Sequence, residues 1–427
     1  MPFAGLDVHK KEIEAVIVDE GGGVLLRERL ATRRETLESF ARRHLHSCRV
    51  ALEATTNTWA IVGILQPLVE EVVVSNPLRT RAIASAKIKT DKVDALVLAQ
   101  LLRSDFLPRV WTPDEPTRGM RQQASERANL SADRTRLKNR IHAVLHQRLI
   151  EAPVKDLFSK AGMSWLAALN LDPAGQRALE RHLRQLLQAE AEFQLLDKEL
   201  AAHAYQHPQI KLLMSLPGVD YPVAESLLAV LGDITRFPTA DQAAAYFGLA
   251  PSTHQSGQHC YHGGITKQGS AHGRWMLIQA AQQAARHPGP LGVFFRRLAR
   301  KKNRNVAVVA TARKLVTIAW HMLNNNEPYR YAQPKTVEAK YSRLRVRVTG
   351  SKKKTGSKGQ RRSANYGSGL RTRGIPSLEQ IYANEQLPPL APLAAGEMTM
   401  LEQQGVTAYA HSIRQPQRVP RRSAPSQ

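Results

Sequence analysis

The chain has 427 residues, too many for one ordinary core at roughly 100 to 200 residues per domain, and its 61 Lys and Arg against 36 Asp and Glu give a formal net charge of +25. A field of that sign attracts polyanions and favours nucleic acid over acidic small molecules. Membrane association is not expected, since no apolar run approaches the roughly 20 residues that spanning needs; the N-terminus lacks the charged and apolar regions of a signal peptide, and Cys48 and Cys260 form no C-x-x-C pair, so a reducing, cytoplasmic site is expected.

In chain order, Phe3 to Val8 is an apolar run interrupted by Asp7, Glu12 to Asp19 alternates apolar and charged residues, and Gly21-Gly22-Gly23 turns the chain into Val24 to Leu30. These predict three hairpin-connected strands. A helix is predicted over Thr36 to His46, a strand over Arg49 to Glu53 and a helix over Thr58 to Gln66. The strand Glu71 to Val74 is closed by Ser75-Asn76-Pro77, because proline ends pairing. Two helices follow, the second, Lys92 to Arg103, with an apolar stripe of Val93, Leu96, Val97 and Leu101. The order β-β-β-α-β-α-β-α predicts an α/β domain of ribonuclease H-like type over residues 1–110.

The proline-punctuated stretch Leu107 to Pro113 closes that domain. Residues 117–205 are expected to form a long-helix, coiled-coil-like insertion. Its first helix carries Leu130, Leu137, Ile141, Val144 and Leu145 on one side and Arg127, Arg134, Arg136, Lys138, Arg140 and Arg148 on the other; its second, Gln176 to Ala204, spaces Leu183, Leu186, Leu187, Leu195 and Leu196 helically. The two predict an antiparallel pair or an oligomer contact. Singly, each basic residue is as well explained by a solvated face as by nucleic acid.

A mostly α-helical domain is expected over 210–332. It opens with Leu216-Pro217-Gly218-Val219 between short helices, a helix-hairpin-helix-like arrangement whose backbone N–H groups suit a phosphate. A segment rich in Gly, His and Ser spans 248–270, and a last helical block from His272 to Leu323 clusters Arg296, Arg297, Arg300, Lys301, Lys302 and Arg304. Beyond Pro334, 17 Lys and Arg face five Asp and Glu, with Lys352-Lys353-Lys354 and Arg361-Arg362 among Gly and Ser. That composition predicts a basic, mostly disordered tail over 333–427.

Four carboxylates fall where the predicted pattern brings chain ends together. Asp7 interrupts an apolar strand, where an unpaired charge is costly unless it meets a cation. Glu53 ends a second strand, and Asp91 and Asp94 share a helix face by their i, i+3 spacing. Asp91 as an N-cap and Asp94 as a first-turn residue favoured by the helix dipole is the competing explanation. All four together suit magnesium, which prefers hard oxygen ligands, and phosphodiester chemistry uses two such ions roughly 4 Å apart.

At these residues the chain resembles a known family. Gly5-Leu6-Asp7-Val8-His9-Lys10, Leu52-Glu53-Ala54-Thr55, Ser75-Asn76-Pro77 and Lys89-Thr90-Asp91-Lys92-Val93-Asp94-Ala95 look like the DEDD transposases, the insertion-sequence recombinases of the IS-one-ten family, together with the Piv-type DNA invertases. A second set of blocks agrees: Leu216 to Val219, Tyr246-Phe247-Gly248-Leu249-Ala250-Pro251, Gln255-Ser256-Gly257, and Gly264-Ile265-Thr266-Lys267-Gln268-Gly269. The resemblance spans about residues 3 to 330 in order.

It implies a RuvC-like domain whose Asp7, Glu53, Asp91 and Asp94 bind Mg2+, and a transposase domain with Ser256 as nucleophile, giving a covalent phosphoserine that can be rejoined. Ser252 and Ser270 are rivals, since serine in such a segment often serves turn chemistry. The resemblance further implies donor and target DNA as substrates, a structured guide RNA encoded by the element, and a homo-oligomer, dimer or tetramer. Nucleic-acid contacts are expected at Arg134, Lys138, Arg140, Gly218, Lys267, Arg274, Arg300 and Lys301. His254, His259, Cys260, His262 and His272 crowd one segment, but their spacing matches no common zinc finger, and polar-loop contacts explain them better. Two other functions stay open: a hydrolytic junction nuclease with the same carboxylates, and a catalytically inactive nucleic-acid-binding protein.

Overall fold

The computed structural model of the chain describes residues 1–83, 91–256, 259–350 and 372–420, and at some of these, among them Asp91, His254, Ser256 and His262, the backbone alone. The fold combines a mixed five-stranded sheet with many helices, in two compact units, Met1–Asp114 and Glu115–Gln427.

In the first unit the chain runs β1 (Phe3–Val8), β2 (Glu12–Val18), β3 (Val24–Ala31), α1 (Arg34–Phe40) continued by a π turn over Ala41–Leu45, β4 (Arg49–Glu53), α2 (Thr58–Leu65), β5 (Glu71–Ser75), α3 (Pro77–Ile83) and α4 (Asp91–Arg103). The spatial order is β3-β2-β1-β4-β5, with β1–β2 and β2–β3 antiparallel and β1–β4 and β4–β5 parallel. Hairpins account for the antiparallel part. The parallel part needs crossovers, which α1 and α2 supply.

Both faces of the sheet are covered. Ala4, Leu6, Ile13, Ala15, Val50, Leu52 and Val74 pack against Leu37 and Phe40 of α1 and Ile61 and Leu65 of α2. On the other face, Val16 and Val18 meet Ala95 and Ala99 of α4, while Ala51 and Val73 meet Leu98 and Leu102. Helix α4 lies directly on β1 at Gly5, where a Cβ would enter the Ala95 carbonyl and come within 2.7 Å of the Ala99 nitrogen. Glycine is required there for packing alone. The stretch after α4 then runs along β5, with Asn76 N–H donating to Pro108 O at 2.9 Å and Val110 N–H to Val74 O at 2.7 Å. The expected linker thus closes an otherwise bare sheet edge.

The second unit contains α5 (Glu115–His146), α6 (Lys160–Ala168), α7 (Pro173–Gln206), α8 (Pro208–Met214), α9 (Tyr221–Leu231), α10 (Ala240–Tyr246), the hairpin β6 (Pro251–Ser256) and β7 (His259–Ile265), α11 (Ala271–Ala284), α12 (Pro290–Lys301), α13 (Arg304–Asn325), α14 (Pro334–Thr349), β8 (Thr372–Ile375), α15 (Leu378–Asn384), α16 (Ala395–Gln403), α17 (Thr407–Ser412) and β9 (Gln417–Pro420). The two long helices pair antiparallel within the chain: Arg127 of α5 meets Asp197 of α7 at 3.0 Å, and Arg134 meets Glu190 at 2.6 Å. Asp197, almost wholly buried, also accepts from the Tyr221 hydroxyl at 2.6 Å and pairs with Arg347 of α14 at 2.7 Å, so one carboxylate ties four helices together.

Three expectations need correction. The segment rich in Gly, His and Ser is not simply a loop, because Pro251–Ser256 and His259–Ile265 pair as a hairpin. Helix α13 is long and apolar enough, by length and composition, to cross a membrane, although no such stretch is expected from the sequence. Its Ala307, Ala312, Leu315, Val316 and Ala319 are buried in the core of the second unit, which explains the composition. The largest correction concerns the tail. Over its described residues it is ordered, and Val337, Tyr341, Leu344, Leu378, Ile381, Tyr382 and Leu401 enter the core made by α7 to α13. Average charge misleads there because several arginines are paired internally: Arg343 with Asp220, Arg345 with Glu385, Arg347 with Asp197 and Arg414 with Glu379. The runs at Lys352 and Arg361 lie outside the described residues.

Burial also displaces two basic groups of the second unit toward neutrality. The Lys340 ammonium donates to the Met214 and Leu216 carbonyls at 2.9 and 2.6 Å, and desolvation lowers its pKa to about 7. His287 is lowered to about 4, chiefly by burial and then by the nearby cations Lys340 and Arg296.

Candidate functional site

The parallel register of β1 and β4 aligns Leu6 with Leu52, which places Asp7 and Glu53, one residue further, at the same carboxyl end of two neighbouring strands. Gly5 and Ala51, two residues back, meet α4. By strand alternation Asp7 and Glu53 belong to that same face.

Helix α4 runs opposite to β1. Its last turn reaches the β2–β3 turn, where Gln100 donates to Gly22 O at 2.8 Å and Arg103 to Glu20 O at 3.2 Å, while its middle rests on Gly5. Its first turn therefore lies at the end of the sheet that carries Asp7 and Glu53. Asp94 sits one helical repeat before Leu98, a sheet-facing residue, and Asp91 opens the helix. The Asp91 side chain lies outside the described ones.

Asp7 is largely buried and lies 3.1 Å from His9 Nε2. Directly across from it in the antiparallel register is Glu14, a carboxylate 4% exposed and ion-paired to Arg29 of β3. Glu14 is a further carboxylate at this edge that the sequence reading passes over. Its signal was available: Ile13, Ala15 and Ile17 face one core and Val16 and Val18 the other, so in this doubly covered strand a single charge stands out. The oxygen donors of this edge fit a hard cation. Among the described residues, however, no three His, Cys, Asp or Glu side chains are grouped closely enough to hold an ion by themselves.

Beside this edge, on the α1 and α2 side, a cavity of about 670 Å3 is lined by His9, Lys10, Arg33, Arg34, Thr55 and Asn57, among others. The Ser75-Asn76-Pro77 motif serves the frame: Asn76 Oδ1 accepts from the Leu78 and Arg79 N–H groups at 3.1 and 3.3 Å, and buried Ser75 accepts from Thr80.

In the second unit Ser256 is the last residue of β6, with its side chain outside the described ones. The rival serines have local partners. Ser252 donates to Gly264 O at 3.1 Å, and Ser270 caps α11 by accepting from Gly273 N–H at 3.0 Å. Cys260 and His259 are exposed, and His272 stacks on Trp275 with centroids 6.0 Å apart.

The expected nucleic-acid contacts divide into two groups. Arg134 is engaged within the helix pair, bound to Glu190 and 4.1 Å over the Phe193 ring, and Lys138 lies 4.8 Å over Phe158. Arg274 donates to Phe247 O at 3.0 Å. Gly218, at φ +76°, packs on Ala280, whose carbonyl a Cβ would strike, so its requirement is structural first. Arg140, Lys267, Arg300 and Lys301 are exposed.

Two family models match the chain, one a transposase of the DEDD, IS110 type over residues 4–149 and one a transposase of the IS116/IS110/IS902 family over residues 210–294. Among similar proteins are the transposase for insertion sequence element IS1111A of Coxiella burnetii, 28% identical over 57% of this chain and 68% of that protein, and the "Probable family 20 transposase" of Pseudomonas aeruginosa, 28% identical over 76% of this chain and 98% of that protein. The pilin gene-inverting protein of Moraxella lacunata is 25% identical over 61% of this chain and 74% of that protein.

Proposed function

We propose, from the premise that this chain belongs to the DEDD transposases of the IS110 type and is a DNA recombinase, that it cuts and rejoins DNA through a covalent serine intermediate. The first unit then serves as a ribonuclease H-like, RuvC-like domain, 117–205 as the helical insertion and 210–332 as the transposase domain. The reading rests on one observation above all: Asp7 and Glu53 lie in register on neighbouring parallel strands, and α4 runs back along β1 so that Asp94 lies at the same end.

Asp7, Glu53, Asp91 and Asp94 would hold Mg2+ there, two ions in the general scheme, and the metal would neutralise phosphate charge and ease ionisation of an attacking hydroxyl. The chain's own groups do the rest. His9, through Asp7, orients one carboxylate. Lys10, Arg33 and Arg34 place positive charge in the adjacent cavity, which suits a phosphodiester backbone. Ser256 Oγ would attack the phosphorus, forming a serine phosphodiester while one P–O bond to the sugar breaks and the departing oxygen takes up a proton. Its place in the Gln255-Ser256-Gly257 block favours Ser256 over Ser252 and Ser270. A serine ester keeps the bond energy, so rejoining requires no ATP.

Donor and target DNA are the substrates in this reading, a structured RNA from the element's own end selects them by base pairing, and a homo-oligomer brings several strands together. Exposed Arg140, Lys267, Arg300 and Lys301 are the phosphate contacts to test first. The deciding experiment is a denaturing gel of labelled element-end DNA with the full chain and magnesium. A slow-moving protein–DNA adduct is expected from the unaltered chain and none from Ser256→Ala or Asp7→Asn. Cleavage by Ser256→Ala at the full rate, with no adduct from either protein, would instead make this a hydrolytic nuclease.

A further inference from the structure

The second unit holds a cavity of about 570 Å3 between α12, α13, the turn after α13 and α16. Sites that enclose a small organic group generally fall within roughly 300 to 1,000 Å3 and combine apolar walls with a few placed polar atoms. This one has that make-up. Leu291, Phe294, Ile318, Met322, Tyr331 and Met400 give it apolar and aromatic walls.

Its polar groups are few and specific. Gln404, where α16 ends, has its Nε2 donating to Met400 Sδ at 2.9 Å, while its Oε1 is buried with no hydrogen-bond partner. That oxygen is closed off from the open space of the cavity, so Gln404 serves as wall rather than as an acceptor for an occupant. Glu327, which lines the cavity, and Glu397, which does not, are both bound by Arg330, at 3.1 and 2.8 Å. That leaves Arg297 and Lys314 as the rim's cations, with Arg297 lying 5.9 Å over the Phe294 ring. Arg300 and Lys301 continue the same charge along α12.

We propose that this cavity receives a single unstacked base of a nucleic-acid strand whose backbone runs over Arg297 and Lys314. A phosphate cannot fill an apolar recess, and a basic or neutral apolar peptide gains nothing from the cationic rim. A base supplies two flat apolar faces for Phe294, Tyr331 and the methionines, and a phosphate on either side for the rim. The proposal deepens the recombinase reading by giving the nucleic acid a base-holding seat remote in sequence from the carboxylates. The strand can be DNA or RNA, since the chemistry described is common to both. Two of the walls, Met400 and Gln404, come from the C-terminal region, which gives that region a binding role.

The test uses the full chain without magnesium, so that cutting plays no part and a failure of the recombinase reading would leave the result interpretable. Binding of single-stranded DNA and RNA oligonucleotides is compared with that of the same strands made abasic at several positions. Removing bases is expected to weaken binding about tenfold, as loss of one base–aromatic stack does. Ile318→Trp, which pushes an indole from the wall into the cavity and narrows it, should bring intact and abasic strands to within about twofold of each other, at the abasic level. A difference in DNA alone or in RNA alone identifies the source of the base, and either supports the seat. If Ile318→Trp fails to fold, Phe294→Ala, which removes an aromatic face, takes its place and should at least halve the difference. Photocrosslinking of 4-thiothymidine or 4-thiouridine strands to the unaltered chain should yield adducts within 290–297, 318–331 or 400–404. Equal binding of intact and abasic strands, an undiminished difference in the folded variants, or adducts only elsewhere would overturn the proposal.

Discussion

The carboxylate edge of the first unit and the apolar cavity of the second are built by opposite means. At the edge, hydrogen-bonded register does the positioning: once Leu6 pairs with Leu52, Asp7 and Glu53 have no choice of end, and α4 is fixed by its backbone contact at Gly5. The cavity has no such ladder. Its walls come from residues 290 to 404, held by side-chain packing and by ion pairs such as Arg330 with Glu397. A site set by register tolerates distant change and fails at one close contact, whereas a site set by packing depends on every segment that contributes to the core.

Deletion of everything after residue 333 is the strongest way to break that contrast. It removes Tyr341, Tyr382 and Leu378 from the core, each loss worth about 3 kcal/mol or more, and should abolish the cooperative melting of the second unit while the first unit's transition survives. An unchanged melting profile would return the region to the status of an appendage.

Gly5→Val strikes the close backbone contact between β1 and α4. The added side chain must push α4 from β1, at a cost of about 3 kcal/mol, and magnesium-dependent cutting should fall with it. Calorimetry with parallel cleavage assays distinguishes the two effects: normal stability and normal cutting would show that α4 can shift freely.

Asp197→Ala leaves Arg127, Arg347 and the Tyr221 hydroxyl without their shared acceptor. Because both arginines keep some solvent, a loss near the low end for a broken buried pair, about 3 kcal/mol or somewhat less, is expected in urea denaturation. The first unit's midpoint should not move.

The smallest effect is a pH dependence. Burial lowers Lys340 from 10.5 to about 7, so between those values the unfolded chain binds the extra proton and stability rises with pH; below about 7 the penalty of the buried charge is fully present. Lys340→Met removes this contribution, and the melting temperature of the unaltered chain minus that of the variant should increase from pH 7 to pH 9.5. A flat difference would mean that the ammonium is better solvated than its surroundings imply.

Much of the first unit was legible in the amino-acid sequence. Alternating and apolar runs separated by glycine and proline specify the strands and make Asp7, Glu53, Asp91 and Asp94 a candidate group, while the adjacency of β1 and β4 that aligns Asp7 with Glu53 comes from the sheet. Glu14 escaped because alternation of Glu and Ala looks like an ordinary half-exposed strand until both of its faces are known to be covered. In the second unit the long helices were legible from their leucine spacing, and their antiparallel pairing was one of the two arrangements that spacing left open.

The sequence by itself determined the secondary elements of the first unit, the two long helices and the excess of positive charge, and it singled out Asp7, Glu53, Asp91 and Asp94 as candidates, because local propensity and strand periodicity are encoded residue by residue. Only the tertiary structure decided that Arg134 and Lys138 rest on aromatic rings, that Gly218 is needed for its approach to Ala280, and that the C-terminal region completes a core and a cavity wall. Those outcomes depend on packing and charge pairing between residues 20 to more than 100 positions apart, and composition averages over the few apolar side chains and arginine–carboxylate pairs that decide them.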